Sequence, residues 1–160
     1  MRGRVSVPSF LVMGKVHELR LRHNRFVNDL NSNVEIALET VNEQITDINR
    51  GQLLQSENAL GEPLFNEKTK STKLTPAYAK RTGKTTPNLY LKGDFQGDMF
   101  SDFRLPNEYY IQSEDPKQGF LMKMYKNIFG IAKKNQRIAQ FITTTAIMKR
   151  YKREVYVEIS

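Results

Sequence analysis

Residues 26–56 read FVNDLNSNVEIALETVNEQITDINRGQLLQS. Val27, Val34, Val41 and Ile48 recur every seven residues, and Leu30, Leu38 and Ile45 fill the same stripe. A repeat of this kind predicts one long amphipathic helix, from about Asn24 or Phe26 to about Ser56. Glu35, Glu39, Glu43 and Asp47 stand four apart on another face. Like charges at that spacing cost an isolated helix about a few tenths of a kcal/mol per pair, so the row predicts a cationic neighbour. The heptad lasts only three to four repeats and Gln44 occupies an inner position. A helix lying on a sheet is therefore expected rather than a coiled coil.

Downstream, Gly61-Glu62-Pro63 marks a turn, and Asn66 to Pro87, rich in Lys and Thr with Pro76 and Gly83, reads as a long basic loop. Asn88 to Lys92 alternates like a half-buried strand, and Gly93-Asp94 follows as a turn or the start of a helix. Glu108 to Ser113 is a second strand candidate. Pro116 to Gly119 reads as a turn, Phe120 to Phe129 as a short helix ended by Gly130, and Asn135 to about Arg153 as a further helix. Ile138, Phe141, Ile142, Thr145 and Ile147 or Met148 would form the apolar stripe of that helix. Val155 to Ile159 alternates as a terminal strand, suited to completing the sheet or pairing with a neighbouring subunit.

The expected fold class is α+β: a long N-terminal amphipathic helix and a C-terminal helix packed on a small antiparallel sheet, with a long basic loop and extended termini. Residues 1–14 read as an extended N-terminal arm, because Met13 could itself begin the folded sequence, and 15–160 as a single domain. A chain of 160 residues buries roughly 70% of its unfolded surface, enough for one core. Hydrophobic residues make up 39% of it, too many for a wholly disordered chain. There is no cysteine, which excludes disulfides, thiolate zinc sites and cysteine nucleophiles together. The run Phe10 to Met13 is far shorter than the roughly 20 apolar residues a spanning helix needs, and also too short for a signal peptide after Arg2 and Arg4. A cytoplasmic protein without a membrane partner is expected.

The net charge of +8 falls in blocks. Residues 1–25 hold six Lys/Arg and one acid, 26–67 eight acids and Arg50 alone, and 68–92 seven bases and no acid. Residues 93–118 hold six acids and two bases, and 119–153 nine bases and no acid, before Glu154 and Glu158. Alternating blocks suit a protein that sets its acidic surface against a neighbour's basic one, since complementary potentials steer docking and fix register. Glu35, Glu39, Glu43 and Asp47 are the candidate acidic inter-subunit face. Lys133, Lys134, Arg137, Lys149, Arg150, Lys152 and Arg153 are the candidate surface for a partner or for DNA.

Catalytic constellations are not found. Gly83-Lys84-Thr85 has the tail of a phosphate-binding loop, but the first glycine that loop requires would fall at Tyr78. His17 and His23 lie six apart beside a single acid, Glu18, which is not a metal-binding spacing. Asp94 with Asp98, and Glu114 with Asp115, read as solvated turn carboxylates. No GxSxG, HExxH or GxGxxG motif occurs. No cofactor, metal or catalytic residue is expected, and the chain reads as a non-enzyme.

Gly61-Glu62-Pro63, Leu74-Thr75-Pro76-Ala77-Tyr78-Ala79-Lys80, Gly83-Lys84-Thr85-Thr86-Pro87 and Leu89-Tyr90-Leu91-Lys92-Gly93-Asp94-Phe95 follow one another in order, and continue as Tyr110-Ile111-Gln112-Ser113 and Ile128-Phe129-Gly130-Ile131. From Gln52 to about Ile142 this progression resembles small morphogenesis proteins of tailed bacteriophages and prophages, of the tail-completion or head-tail joining (neck) kind. The resemblance implies an α+β subunit of a ring at the neck or tail end of a virion, with no cofactor and no catalysis. Its partners would be further copies of itself and other virion proteins such as a portal, adaptor or tail tube, with non-specific contact to DNA in the conduit. In that setting Tyr78, Lys80, Arg81 and Lys84 would form a docking loop. Two alternatives remain open: a basic nucleic-acid-binding accessory protein, with Tyr125 and Tyr151 as stacking platforms, and another capsid-associated virion component.

Overall fold

The structure, a computed structural model, describes residues 9–90, 93–104 and 108–156. In chain order it holds helices α1 (Ser9–Asn28), α2 (Leu30–Glu39), α3 (Asn42–Leu54), α4 (Pro76–Thr82) and the single turn α5 (Asp94–Gly97). Strands β1 (Met99–Arg104) and β2 (Glu108–Ser113) follow, then α6 (Gln118–Met124) and α7 (Gln136–Val155), the last led in by a 3-10 turn at Lys133–Asn135. The class is α+β, as expected, with one antiparallel pair of strands among the described residues. No helix among the described residues is long and apolar enough to cross a membrane.

The stretch from Phe26 to Ser56 carries three helical segments, not one. Neither break uses proline or glycine. Asp29 stands between α1 and α2 at φ −102°, ψ 27°. At the second break the Thr40 hydroxyl donates to the Ala37 carbonyl (2.6 Å) and the Val41 N–H to Leu38 (3.0 Å), which tightens the last turn of α2. Thr and Asp side chains compete locally with helical hydrogen bonds, which is why they favour such ends. A straight helix would also carry a seven-residue stripe round its axis by ~20° per heptad. With the breaks, Leu38, Val41 and Ile45 are buried, whereas Val27 and Leu30 remain exposed.

Helix α3 lies on β1, where Met99, Ser101 and Phe103 alternate inward. The register runs from Met99 opposite Ser113 to Arg104 opposite Glu108. Two apolar clusters form the core. Leu53, Leu64, Phe95, Met99, Tyr125 and Ile128 make one; Ala37, Leu38, Val41, Phe103 and Ala146 make the other. Helix α7 lies against α2 and the end of α1, and Ala146 shares the second cluster with Phe103 of β1.

The polar side of α3 holds the segment that leads into α7. Gln52 donates to the Gly130 carbonyl (3.0 Å) and accepts from the Ala132 N–H and the Asn135 amide (both 2.9 Å). Asn49 donates to the Ile128 carbonyl (3.0 Å). Gly130 sits at φ +128°, and a β-carbon there would lie 2.9 Å from that of Ala59. Only glycine fits that crossing without displacing backbone.

Several sequence expectations are corrected. Residues 88–90 are not a strand: Asn88 forms a local turn, its side chain accepting from the Tyr90 N–H (3.2 Å), Leu89 stands at φ +54°, and 91–92 lie outside the described residues. The strand that pairs with β2 is instead Met99–Arg104, hidden in the sequence by the inward Ser101. The helix expected from Phe120 to Phe129 is only α6, stopped by Tyr125 in an extended conformation. The long loop contains α4, with Pro76 in its first turn and Gly83 in the left-handed conformation at its end. Of the segment 1–14 read as an extended arm, residues 1–8 lie outside the described residues and 9–14 open α1. Val155 closes α7 rather than opening a strand, and 157–160 lie outside the described residues.

Candidate functional site

The acidic row does not stay together. Glu35 and Glu39 are on α2, while Glu43 and Asp47 are on α3, beyond the break at Thr40. Both α3 acids turn to Arg50, which is paired with Glu43 and lies 2.8 Å from Asp47. The same guanidinium donates to the carbonyls of Gln96 (2.7 Å) and Met99 (2.6 Å), and so fastens α3 to the start of β1. Burial works against the Arg50 charge, but its bonds to Glu43 and Asp47 outweigh burial and raise its pKa. Two of the four acids are thus committed within the chain, leaving Glu35 and Glu39 as the outward pair.

The seven basic candidates divide as well. Lys133, Lys134 and Arg137 surround the start of α7; Lys149, Arg150, Lys152 and Arg153 belong to its last two turns. Twelve residues of helix, about 18 Å, separate Arg137 from Lys149. Lys134 pairs with Glu57 (2.5 Å), and Arg150 and Arg153 share Glu154 (3.3 and 3.5 Å). Arg150 also donates to the Asn33 side chain (3.2 Å). The two tyrosines considered for base stacking are occupied. Tyr125 is buried and accepts from Asn66 (3.1 Å), while Tyr151 packs edge-on against Phe26 with ring centres 5.1 Å apart.

In the loop, Lys84 donates to the Tyr90 carbonyl (2.8 Å) and reaches the Asn88 side chain (3.3 Å), which holds the turn after α4. Arg81 covers the half-buried ring of Tyr78 at 4.8 Å. Lys80 is exposed. The four loop candidates therefore share one short ordered segment, with Lys84 turned toward its own backbone.

A groove of about 490 Å³ lies between the α2–α3 junction and α7. Ala37 and Val41 on one wall and Ile142 and Ala146 on the other give it an apolar floor. Phe141 rises at one side, 73% exposed, and Lys149, Arg150 and Arg153 close one end. Sequence reasoning named both the cations and the apolar residues of α7 but not the groove. The expected apolar stripe, Ile138, Phe141, Ile142, Thr145 and Ile147 or Met148, divides: Ile142 and Ile147 pack on the second cluster beside the buried Ala146, whereas Ile138, Phe141 and Met148 face out. The available signal was the width of the set: Ile138, Phe141, Ile142, Ile147 and Met148 cover more of the helix circumference than one packed face.

Among the described residues no three His, Cys, Asp or Glu side chains gather in a metal-holding arrangement. The groove is lined by apolar groups, threonine hydroxyls, one glutamine and cations, with no acid–base pair. Compared with known proteins, the chain matches no family model, no curated protein and no solved structure.

Proposed function

We propose that this protein is a non-enzymatic structural subunit that assembles with copies of itself and with larger components, in a ring at the head-tail junction of a tailed bacteriophage, as a connector, tail-completion or tail-terminator subunit. One observation carries the assembly reading: the helical layer leaves large apolar side chains in water beside cations. Met13, Val16 and Leu21 on α1 and Ile138, Phe141 and Met148 on α7 are each about half exposed or more. Apolar surface of this kind rimmed by polar groups marks a protein contact. The placement in a virion neck rests on the ordered turn and loop motifs from Gly61 to Phe95 and their resemblance to morphogenesis proteins. A face for duplex DNA is a poorer fit, because apolar side chains separate the two groups of cations on α7.

Mass measurement of the purified protein, alone and with portal or tail components, tests the reading. A closed oligomer, and particle images placing it at the neck, are expected. A protein that stays monomeric in both mixtures and is absent from virions overturns it. Subunit contacts should bury on the order of 800 Å² per partner.

A further inference from the structure

We infer that the groove between α2 and α7 receives an acidic, amphipathic helical segment of another protein. Three features of the groove specify that chemistry. Its floor is apolar, at Val41 and Ala146; an aromatic ring, Phe141, stands exposed beside it; and Lys149, Arg150 and Arg153 are crowded at one end. Among the described residues Arg150 and Arg153 share one carboxylate, that of Glu154, so this end of the groove carries more cations than acids. From Phe141 to Arg153 the α7 wall is about 18 Å long, which matches three turns of a partner helix. An occupant with apolar residues three and four apart toward the floor, and Asp or Glu toward the cationic end, satisfies both.

A second copy of this chain is a poorer occupant. In the described structure Glu43 and Asp47 are held by Arg50, and the outward pair Glu35 and Glu39 is accompanied on its helix by Ile36, only 38% exposed, and Leu30. The exposed apolar stripe of α1 lies among cations, Lys15, Arg20 and Arg25. Helix α2 sets only two exposed apolar side chains, Leu30 and Ile36, beside its outward acids, and Ile36 already lines the groove. The inference rests on the assembly reading and names the chemistry of a neighbour.

The probe is a fluorescently labelled synthetic helix of three to four turns with Leu and Phe on one face and Glu on the other, titrated into the full chain and followed by anisotropy. Saturable binding is expected, weakened at least tenfold by K149E/R153E, at least fivefold by F141A, and at least tenfold when the peptide's Glu residues become Gln. Far-UV circular dichroism of both variants verifies that they fold, and if the double variant does not, K149E alone replaces it with a threefold threshold. Absence of binding to the wild-type chain, or equal binding by wild type and the groove variants, overturns the inference. So does displacement of the peptide by duplex DNA or by anionic phosphatidylserine vesicles at lower concentration than by unlabelled peptide, since the groove would then be serving a polyanion. Each of these outcomes leaves the oligomer measurement, and with it the assembly reading, untouched.

Discussion

Arg50 is the one base in the acidic block from residue 26 to 67, and the structure shows why it is there: it joins two carboxylates of α3 to the carbonyls of Gln96 in α5 and Met99 at the start of β1. Removing it strands those carbonyls and leaves Glu43 and Asp47 to repel each other. Arg50→Ala should destabilise the protein by about 2–3 kcal/mol, and Arg50→Lys by less, because an ammonium keeps the charge beside Glu43 and Asp47 although it cannot also reach the carbonyls as a planar fork does. Urea denaturation of both variants checks the order. Tyr109 gives a pH signature. Burial pushes its phenol from 10.0 up to about 12. The folded state therefore favours the neutral form, so this stabilisation is fully present below about pH 10 and is lost as pH rises toward 12. Tyr109→Phe should leave stability at pH 7 within about 1 kcal/mol, since the hydroxyl's bond to the Leu38 carbonyl is a long 3.3 Å. The variant should also show a shallower loss of stability between pH 10 and 12, as read by denaturation at stepped pH.

Among the elements, β2 and α7 are legible to within a residue or two, because Tyr109, Tyr110 and Ile111 are strong strand formers and Asn135 opens a continuous helical run. The breaks in the first helix are not. Nothing as strong as proline marks Asp29 or Thr40, and what separates the helices is packing: the buried Leu38, Val41 and Ile45 follow the sheet, whereas α1 follows Tyr151. The acidic row shows the same limit, since its spacing was correct along the chain but Arg50 and the break decided which acids face out. The groove was illegible for a related reason: its walls come from helices about a hundred residues apart in the chain, and no local pattern joins Val41 to Ala146. Helix α1 is anchored mainly at one end, by Phe26 against Tyr151 and by the His23 ring nitrogen 3.0 Å from the Tyr151 hydroxyl. Phe26→Ala should release it, and hydrogen exchange should then show amides 13–25 losing protection by at least tenfold while those of α3 keep theirs.

For the whole molecule, the two cores are joined by α3, whose apolar side serves the sheet and whose polar side serves the approach to α7. Gln52 is the narrowest point of that connection. Gln52→Ala leaves the Gly130 carbonyl and the Ala132 N–H without their partner, a cost of about 2–4 kcal/mol. Coupling between the halves should weaken with it. Tyrosine fluorescence, which sums Tyr125 in one cluster and Tyr151 on α7, and far-UV circular dichroism should trace one urea transition in the wild type and two separated ones in the variant. The same connection sets a delay during synthesis. Gln52 and its partner Ala132 are 80 residues apart, and at roughly 5–20 residues per second the ribosome needs several seconds to deliver the second after the first. Throughout that interval the face of α2 that α7 will cover lacks its partner, so the growing chain holds in water the apolar surface of Ala37, Leu38 and Val41 that the finished one buries.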